Sequence, residues 1–169
     1  MKPLPWPRLL GRRIGAAGFT MVELLVVMAI LGILAAAVMP LGETLLKAQR
    51  ERELRQSLWD IRNAIDEYQR AMSAGGAPLP IGVSGYPSSL QVLVQGVPDP
   101  RAQAGSQTLY FLRRLPRDPM ADPALPAEQT WRLRSYASPP DQPRPGADVY
   151  DVSSSSDALS LDGTPYSKW

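Results

Sequence analysis

The chain of 169 residues contains no histidine and no cysteine. The most common general base and the thiol nucleophile are therefore absent, and no disulfide can form. There is also no serine in a nucleophile-elbow pattern and no glycine-rich phosphate loop. No pair among the sixteen acidic residues is singled out for acid–base work. We predict that the chain is not an enzyme, and we assign it no catalytic, cofactor-binding or metal site.

The net charge is also small, at +2. Four basic residues and no acidic residue lie in the first eighteen positions, so residues 19–169 carry a formal charge of −2. A balance this close to neutral predicts no binding of nucleic acid and no attraction for acidic substrates.

The most informative segment is an almost unbroken apolar run over residues 19–39, which contains one charge, Glu23. Twenty-one helical residues cover about 30 Å, the thickness of a bilayer's hydrocarbon core. A charged side chain at the centre of a membrane helix costs about 2.5–3.5 kcal/mol. Glu23 lies near the N-terminal end of the run, which lowers this cost. We predict a membrane helix over residues 19–40 in which Glu23 has a specific role.

Gly18, Phe19 and Glu23 together resemble the N-terminal signal of type IV pilins and of the pseudopilins of type II secretion. The resemblance implies that a prepilin peptidase cuts between Gly18 and Phe19 and methylates the new amino terminus of Phe19. Residues 1–18 would then be a cytoplasmic leader, which suits its basic residues Lys2, Arg8, Arg12 and Arg13. It further implies that Glu23 neutralises the amine of Phe19 on an adjacent subunit during filament assembly.

Two other interpretations of the N-terminus remain open. The small residues 35–37 fit an ordinary secretory cleavage site, although Glu23 would interrupt the apolar region of such a signal. The run could also be an uncut signal anchor. Basic residues do not decide its orientation, because the four in the leader are matched by four that follow the run, namely Lys47, Arg50, Arg52 and Arg55.

An amphipathic helix is predicted over residues 41–74. Apolar side chains recur there at steps of three and four and form one stripe, consisting of Leu54, Leu58, Ile61, Ile65, Tyr68 and Met72. Charged residues such as Arg55 and Arg62 fall on the other faces. We expect the stripe to pack on the rest of the domain.

Residues 75–169 contain fourteen of the eighteen prolines and are predicted to form a C-terminal β domain. The strand candidates are residues 108–115, 130–137 and 147–152. A short helix is expected over residues 88–95, with Leu90, Leu93 and Val94 facing inward, and surface loops over 97–106 and 138–146. The predicted fold is α+β, a long N-terminal membrane and amphipathic helix packed on one small antiparallel sheet.

Three stretches of this domain resemble the major pseudopilin of type II secretion. They are Tyr86-Pro87 with Leu90 and Leu93, the sequence Leu115-Pro116-Arg117-Asp118-Pro119, and Asp148-Val149-Tyr150. In that family a following glycine- and acid-rich stretch binds calcium. Here Asp148, Asp151, Asp157 and Asp162 could supply oxygen ligands, or they could be turn and cap residues. Tyr166 and Trp169 are expected to pack on the sheet.

The sequence therefore predicts a pseudopilin-like structural subunit of a type II secretion system. The resemblance implies a single-pass protein of the bacterial inner membrane with a periplasmic C-terminal domain. Its partners would be other copies of itself, other pseudopilins, the prepilin peptidase, the inner-membrane assembly platform and membrane lipid. One alternative is a type IV pilus subunit acting in adhesion, motility or DNA uptake. From another class, the alternative is a membrane-anchored periplasmic binding module.

Overall fold

A computed structural model describes residues 18–74, 84–102 and 107–169. Its elements, in chain order, are helix α1 (Met21–Ser73), helix α2 (Leu90–Gln95), strands β1 (Val97–Pro98) and β2 (Thr108–Leu109), a 3-10 turn (Ala127–Thr130), strands β3 (Trp131–Arg134) and β4 (Asp151–Ser154), and a second 3-10 turn (Tyr166–Lys168). The α+β class is confirmed. Contacts divide the chain into two compact units, of which the first ends at Gly42 and the second is Glu43–Trp169.

Helix α1 covers most of both helical segments predicted from the sequence, but it begins at Met21 and not at residue 19, and it ends at Ser73 and not at residue 74. Its 53 residues include Pro40. The predicted amphipathic helix is followed in the sequence by Gly75, Gly76 and Pro78, which are residue types that end helices. These three residues lie outside the described residues, and so does the predicted leader up to residue 17.

The apolar stripe of α1 forms the centre of the core in the second unit. Leu54, Leu58, Ile61 and Ile65 are buried, as predicted, and Tyr68 packs partly buried against them. The other buried members are Ala64 of the same helix, Leu90 and Leu93 of α2, Trp131 of β3, and Val149, Val152 and Tyr166. Burying large apolar side chains is worth about 1.5–3 kcal/mol each, so this stripe fixes the helix against the C-terminal residues.

The predicted single sheet of three strands is wrong, because residues 84–102 and 107–169 form two separate two-stranded antiparallel sheets. β1 pairs with β2, and β3 pairs with β4 in the register Trp131 to Ser154. Strand β1 lies in a stretch that the sequence predicted to be a loop. Pro98 is tolerated there because a two-stranded sheet consists only of edge strands.

The strand expected over residues 108–115 stops at Leu109. The N–H groups of Phe111 and Leu112 both donate to the carbonyl oxygen of Leu93, at 3.1 and 2.9 Å. The chain therefore turns around the end of α2 instead of continuing extended. Gly96 allows this close approach: its φ is +80°, and a Cβ there would lie 2.8 Å from the carbonyl oxygen of Leu109.

The other two strand predictions are correct in part. Strand β3 covers the first half of the candidate 130–137, and β4 begins four residues later than the candidate 147–152. Before β4, the Val149 N–H donates to the carbonyl oxygen of Pro87, and the Tyr150 N–H donates to the carbonyl oxygen of Arg134. Helix α2 starts two residues later than predicted and buries Leu90 and Leu93, as expected, while Val94 is only half-buried.

The face of α1 next to β4 carries a cation that the sequence assigned to an outer face. The Arg62 guanidinium donates to Asp151 Oδ1 at 2.8 Å, and to the carbonyl oxygens of Val152 at 2.9 Å and Trp169 at 2.8 Å. One planar guanidinium thereby connects the helix, β4 and the C-terminal residue, which a single-point ammonium cannot do.

Candidate functional site

Thr20 determines where α1 begins. Its Oγ1 accepts a hydrogen bond of 3.2 Å from the Glu23 N–H, and its carbonyl oxygen accepts one of 3.1 Å from the Leu24 N–H. This is the N-cap arrangement, and the spacing of Thr20 and Glu23 matches a capping box. The Gly18–Phe19 peptide bond therefore lies before the helix, in an exposed and non-helical segment, where a peptidase could reach it.

The Glu23 side chain lies in the exposed first turn of α1. No hydrogen bond or ion pair to its carboxylate occurs within the described part of the chain. Phe19 is 78% exposed. The two predicted assembly residues thus lie near each other in the sequence without a bond between them, and both are open to a neighbouring molecule.

The helix that follows Glu23 presents an apolar surface. Large side chains exposed on it include Leu24, Leu25, Ile30, Leu31 and Leu34. By length and composition α1 can cross a membrane, and its most apolar window buries none of its residues. Apolar surface on this scale needs lipid or protein to cover it. Residues 35–37, which fit a secretory cleavage site, lie within this helix.

A buried carboxylate that the sequence analysis missed ties α1 to the last part of the chain. Glu51 is 7% exposed, and its Oε1 accepts hydrogen bonds from the Leu161 N–H at 2.7 Å and the Tyr166 hydroxyl at 2.9 Å. Glu51 lies three residues before Leu54 and so continues the apolar stripe. The sequence signal for this site is a charged residue, Glu51, at a position that continues the apolar stripe.

Tyr166 is buried beneath this carboxylate and lies edge-on to Trp169, with ring centroids 5.1 Å apart. Burial, the hydrogen bond to Glu51 and the nearby negative charges of Glu51 and Asp162 raise the pKa of Tyr166 to about 12. The guanidinium of Arg55 lies 4.4 Å above the Trp169 ring. Tyr166 is part of the core and Trp169 packs partly buried against it. The 3-10 turn that contains Tyr166 contacts β4, which agrees with the predicted packing of this segment on a sheet.

Each of the four carboxylates considered for calcium has its own hydrogen-bond or ion-pair partners. Asp148 accepts from the Ser135 hydroxyl and the Tyr136 N–H, at 2.6 and 2.9 Å. Burial opposes ionisation of Asp148, but its hydrogen bonds, from Ser135 and Ser84 and from the Tyr136 backbone, outweigh this and lower its pKa.

The other three are equally engaged. Asp151 pairs with Arg62 and Arg134, Asp157 pairs with Arg132 at 2.7 Å, and Asp162 accepts from the Ser160 hydroxyl and the Thr164 N–H. Calcium needs six to eight oxygen ligands around one point. No group of three histidine, cysteine or acidic residues within the described ranges could hold a metal ion. The residues present do not fit a calcium site, and their turn and ion-pair roles account for them.

The sequence Leu115 to Pro119 has a structural role centred on Asp118, which is fully buried. Its Oδ2 accepts from the Ser154 hydroxyl of β4 at 2.5 Å, and its Oδ1 accepts from the Met120 N–H at 2.7 Å. The carbonyl oxygen of Pro116 accepts from the indole of Trp131. This loop therefore holds the β3–β4 sheet from one side.

The Tyr86-Pro87 and Asp148-Val149-Tyr150 stretches meet in an aromatic cluster. The rings of Tyr86, Tyr136 and Tyr150 lie 4.9 to 5.6 Å apart, and the Arg134 guanidinium lies 4.6 Å from the Tyr150 ring. Burial and nearby Tyr150 raise the pKa of Tyr86. Two of the three stretches that resemble the major pseudopilin thus contact each other, as parts of one packed structure.

The comparisons with known proteins support the N-terminal assignment. Residues 14–39 match the family described as the prokaryotic N-terminal methylation motif, a range that contains Gly18, Phe19 and Glu23. No curated protein and no solved structure matches the chain. The motif implies prepilin peptidase processing and filament assembly in general, and the apolar helix fits single-pass membrane anchoring. The chain therefore has a prepilin-like N-terminus, which supports a type IV pilin-like protein with a structural role.

Proposed function

We propose that this protein is a pseudopilin-like subunit that assembles into a periplasmic filament of a type II secretion system. The observation that carries the proposal is the N-terminal methylation motif at residues 14–39, followed by a helix whose apolar side chains are exposed. Such a subunit waits in the inner membrane with its C-terminal domain in the periplasm. It then joins a growing filament through α1, in contact with other pseudopilins and the assembly platform.

Cleavage and assembly are linked through charge. Cutting after Gly18 creates a positively charged amine at Phe19, four residues before Glu23, whose carboxylate has no partner among the described residues. In a filament the Glu23 carboxylate of one subunit neutralises the Phe19 amine of the next. An ion pair shielded from water leaves a costly uncompensated charge when one partner is removed. The pair therefore favours processed subunits in correct register over unprocessed ones.

Secretion is favoured over a surface pilus by the three stretches that resemble the major pseudopilin. The absence of cysteine points the same way, because many fibre-forming type IV pilins have a C-terminal disulfide. The subunit does no chemistry of its own. It transmits the force of polymer growth, which a cytoplasmic ATPase drives, to folded substrates that leave through an outer-membrane channel.

The intact mass and N-terminal sequence test the processing step. The protein is recovered from membranes of a host that has a prepilin peptidase. We expect a chain that begins with N-methylated Phe19. Two matched variants, Gly18→Val and Ala17→Val, add the same larger side chain at adjacent positions of the leader. We expect Gly18→Val to remain uncut, because it changes the residue at the cleavage site, and Ala17→Val to be cut normally. A wild-type chain that begins after Ala37, or one that stays uncut, would refute the proposal.

The secretion role is tested by deleting the gene in its own host. We expect proteins that are normally exported to accumulate in the periplasm, and the wild-type gene to restore their release. Unchanged export together with loss of surface fibres, twitching or DNA uptake would identify a pilus subunit instead. A processed chain that stays monomeric and binds a ligand would identify a membrane-anchored binding module.

A further inference from the structure

The loop that follows β4 presents two leucines to solvent. Leu159 is 56% exposed and Leu161 is 49% exposed, while Ser160 between them is buried. Among the described residues outside α1, Leu159 and Leu161 are the two large aliphatic side chains that are exposed. Alternation of this kind places both leucines on the outer side of the loop. A single exposed leucine is common on protein surfaces, whereas two on the same loop give that loop an apolar surface.

This loop is held firmly in place. Leu159 pairs with Pro165 in a β-bridge, and the Ser160 N–H donates to the carbonyl oxygen of Thr164 at 2.9 Å. Gly163 makes the tight turn with a φ of +84°. The Leu161 N–H donates to the buried carboxylate of Glu51 on α1. The two leucines are therefore exposed because of the fold itself and not because the loop is loose.

The loop forms one side of an open groove with the N-terminal turns of α1 in the second unit. The groove has a volume of about 360 Å³, and Leu159 shares it with Leu46, Lys47 and Arg50. Leu46 is 60% exposed. Glu43 is the one acidic residue that lines the groove, so its charged rim is positive overall. The surface thus combines apolar side chains with two cations.

The position of this surface along the chain suggests what it contacts. Leu46 is seven residues beyond Met39, the last residue of the apolar run, and seven residues span at most about 25 Å even when fully extended. The headgroup layer outside a 30 Å hydrocarbon core is roughly 5–7 Å thick on each side. The covalent connection alone therefore sets an upper limit of about 25 Å on the distance from the end of the apolar run to Leu46, which leaves the groove within reach of the bilayer surface.

We propose that the patch formed by Leu46, Leu159, Lys47 and Arg50 docks the soluble domain on the surface of an anionic phospholipid bilayer while the subunit is anchored in the membrane. Leu161, exposed two residues further along the same loop, enters the bilayer beside it. Leucines enter the boundary between headgroups and acyl chains, and the two cations contact lipid phosphates. The proposal requires membrane anchoring and not filament formation. It defines a resting position for the domain before assembly.

The absence of cysteine gives a direct test. The full chain is placed as a single copy in nanodiscs of phosphatidylcholine with phosphatidylglycerol, and a nitroxide is attached to Leu159→Cys, to Leu161→Cys or, as a control, to Asp141→Cys in an exposed loop. Electron paramagnetic resonance then compares collisions with oxygen, which enters lipid, and with a water-soluble nickel complex. We expect an oxygen-to-nickel ratio several-fold higher at positions 159 and 161 than at 141.

The lipid charge and the fold are controlled in the same system. Lys47→Gln with Arg50→Gln, or nanodiscs without phosphatidylglycerol, should bring the ratio at position 159 at least halfway towards that at 141. Unchanged tryptophan emission in each labelled variant shows that it is folded. Equal ratios at 159, 161 and 141 would overturn the proposal. Shielding of positions 159 and 161 from both reagents would also overturn it, because protein and not lipid would then cover the patch.

Discussion

The Tyr166 hydroxyl donates a hydrogen bond of 2.9 Å to the Glu51 carboxylate, a residue 115 positions earlier in the chain. The same carboxylate oxygen accepts from the Leu161 N–H. One buried acid therefore connects the long helix to the loop and the 3-10 turn that end the described chain. Because the contact is long-range and buried, it should contribute strongly to the stability of the domain.

We expect Glu51→Ala to lower the free energy of unfolding by about 2–3 kcal/mol, since the buried Tyr166 hydroxyl and the partly buried Leu161 N–H would both lose their acceptor. Chemical denaturation of the full chain in detergent micelles, followed by tryptophan fluorescence, measures the change. Glu53→Ala is the matched control on an exposed position of the same helix, and should cost less than about 0.5 kcal/mol. A cycle with Tyr166→Phe should give a coupling energy of about 1–2 kcal/mol. A coupling near zero would contradict the bond.

Alkaline pH should destabilise the domain through Tyr166. Its pKa is raised to about 12 in the folded state, against 10.0 for an unperturbed tyrosine. The unfolded chain therefore releases this proton first, so the stabilisation is complete below pH 10 and is lost as the pH rises towards 12. We expect the stability of the wild type to fall more steeply over this range than that of Tyr166→Phe. Parallel curves for the two proteins would show that Tyr166 does not cause the loss.

Tyrosinate absorbance gives an independent check of the same ionisation. The chain has six tyrosines, and the pKa values of Tyr68, Tyr86 and Tyr166 are all raised, in each case chiefly by burial. At pH 11 the folded protein should show clearly fewer ionised tyrosines than the chain in denaturant. Tyr166→Phe should remove the latest step of the titration.

Asp118 should be the most sensitive position in the Leu115 to Pro119 stretch. It is fully buried and accepts from both Ser154 and Met120. We expect Asp118→Ala to cost about 3 kcal/mol, because it leaves these donors without their acceptor. Asp141→Ala, in an exposed loop, should change stability by less than about 0.5 kcal/mol. Thermal unfolding followed by near-ultraviolet circular dichroism compares the two variants, and equal melting temperatures would contradict this role.

The helical part of the fold could be predicted because its signals are local. Leu54, Leu58, Ile61 and Ile65 follow the period of a helix, and their burial follows from that period alone. The signal around Gly18, Phe19 and Glu23 is equally local, and the motif match at residues 14–39 agrees with it.

The sheets could not be predicted, because their limits depend on contacts between distant residues. Ser154 is a buried polar residue of β4, and its hydroxyl donates to Asp118, 36 residues earlier. Phe111 and Leu112 leave the strand because Leu93 accepts both of their N–H groups. The helical period alone assigns Arg62 to an outer face, because its partners Asp151, Val152 and Trp169 lie far away in the sequence. The alternation of apolar and polar side chains along a strand does not indicate which distant residues will contact it.

Glu23→Ala separates membrane insertion from filament assembly. Removing the charge lowers the cost of placing the helix in lipid, so we expect the variant to insert and to be processed normally. It leaves the Phe19 amine of the neighbouring subunit without a counter-charge, and losing one member of a buried ion pair costs about 3–5 kcal/mol. Since 1.4 kcal/mol is a factor of ten, filament yield should fall by well over tenfold. The measurement opens the cells gently, separates periplasmic filaments from membranes by sedimentation and quantifies them against the membrane pool, with Glu43→Ala as the control on the same helix. A normal yield from Glu23→Ala would show that assembly does not depend on this carboxylate.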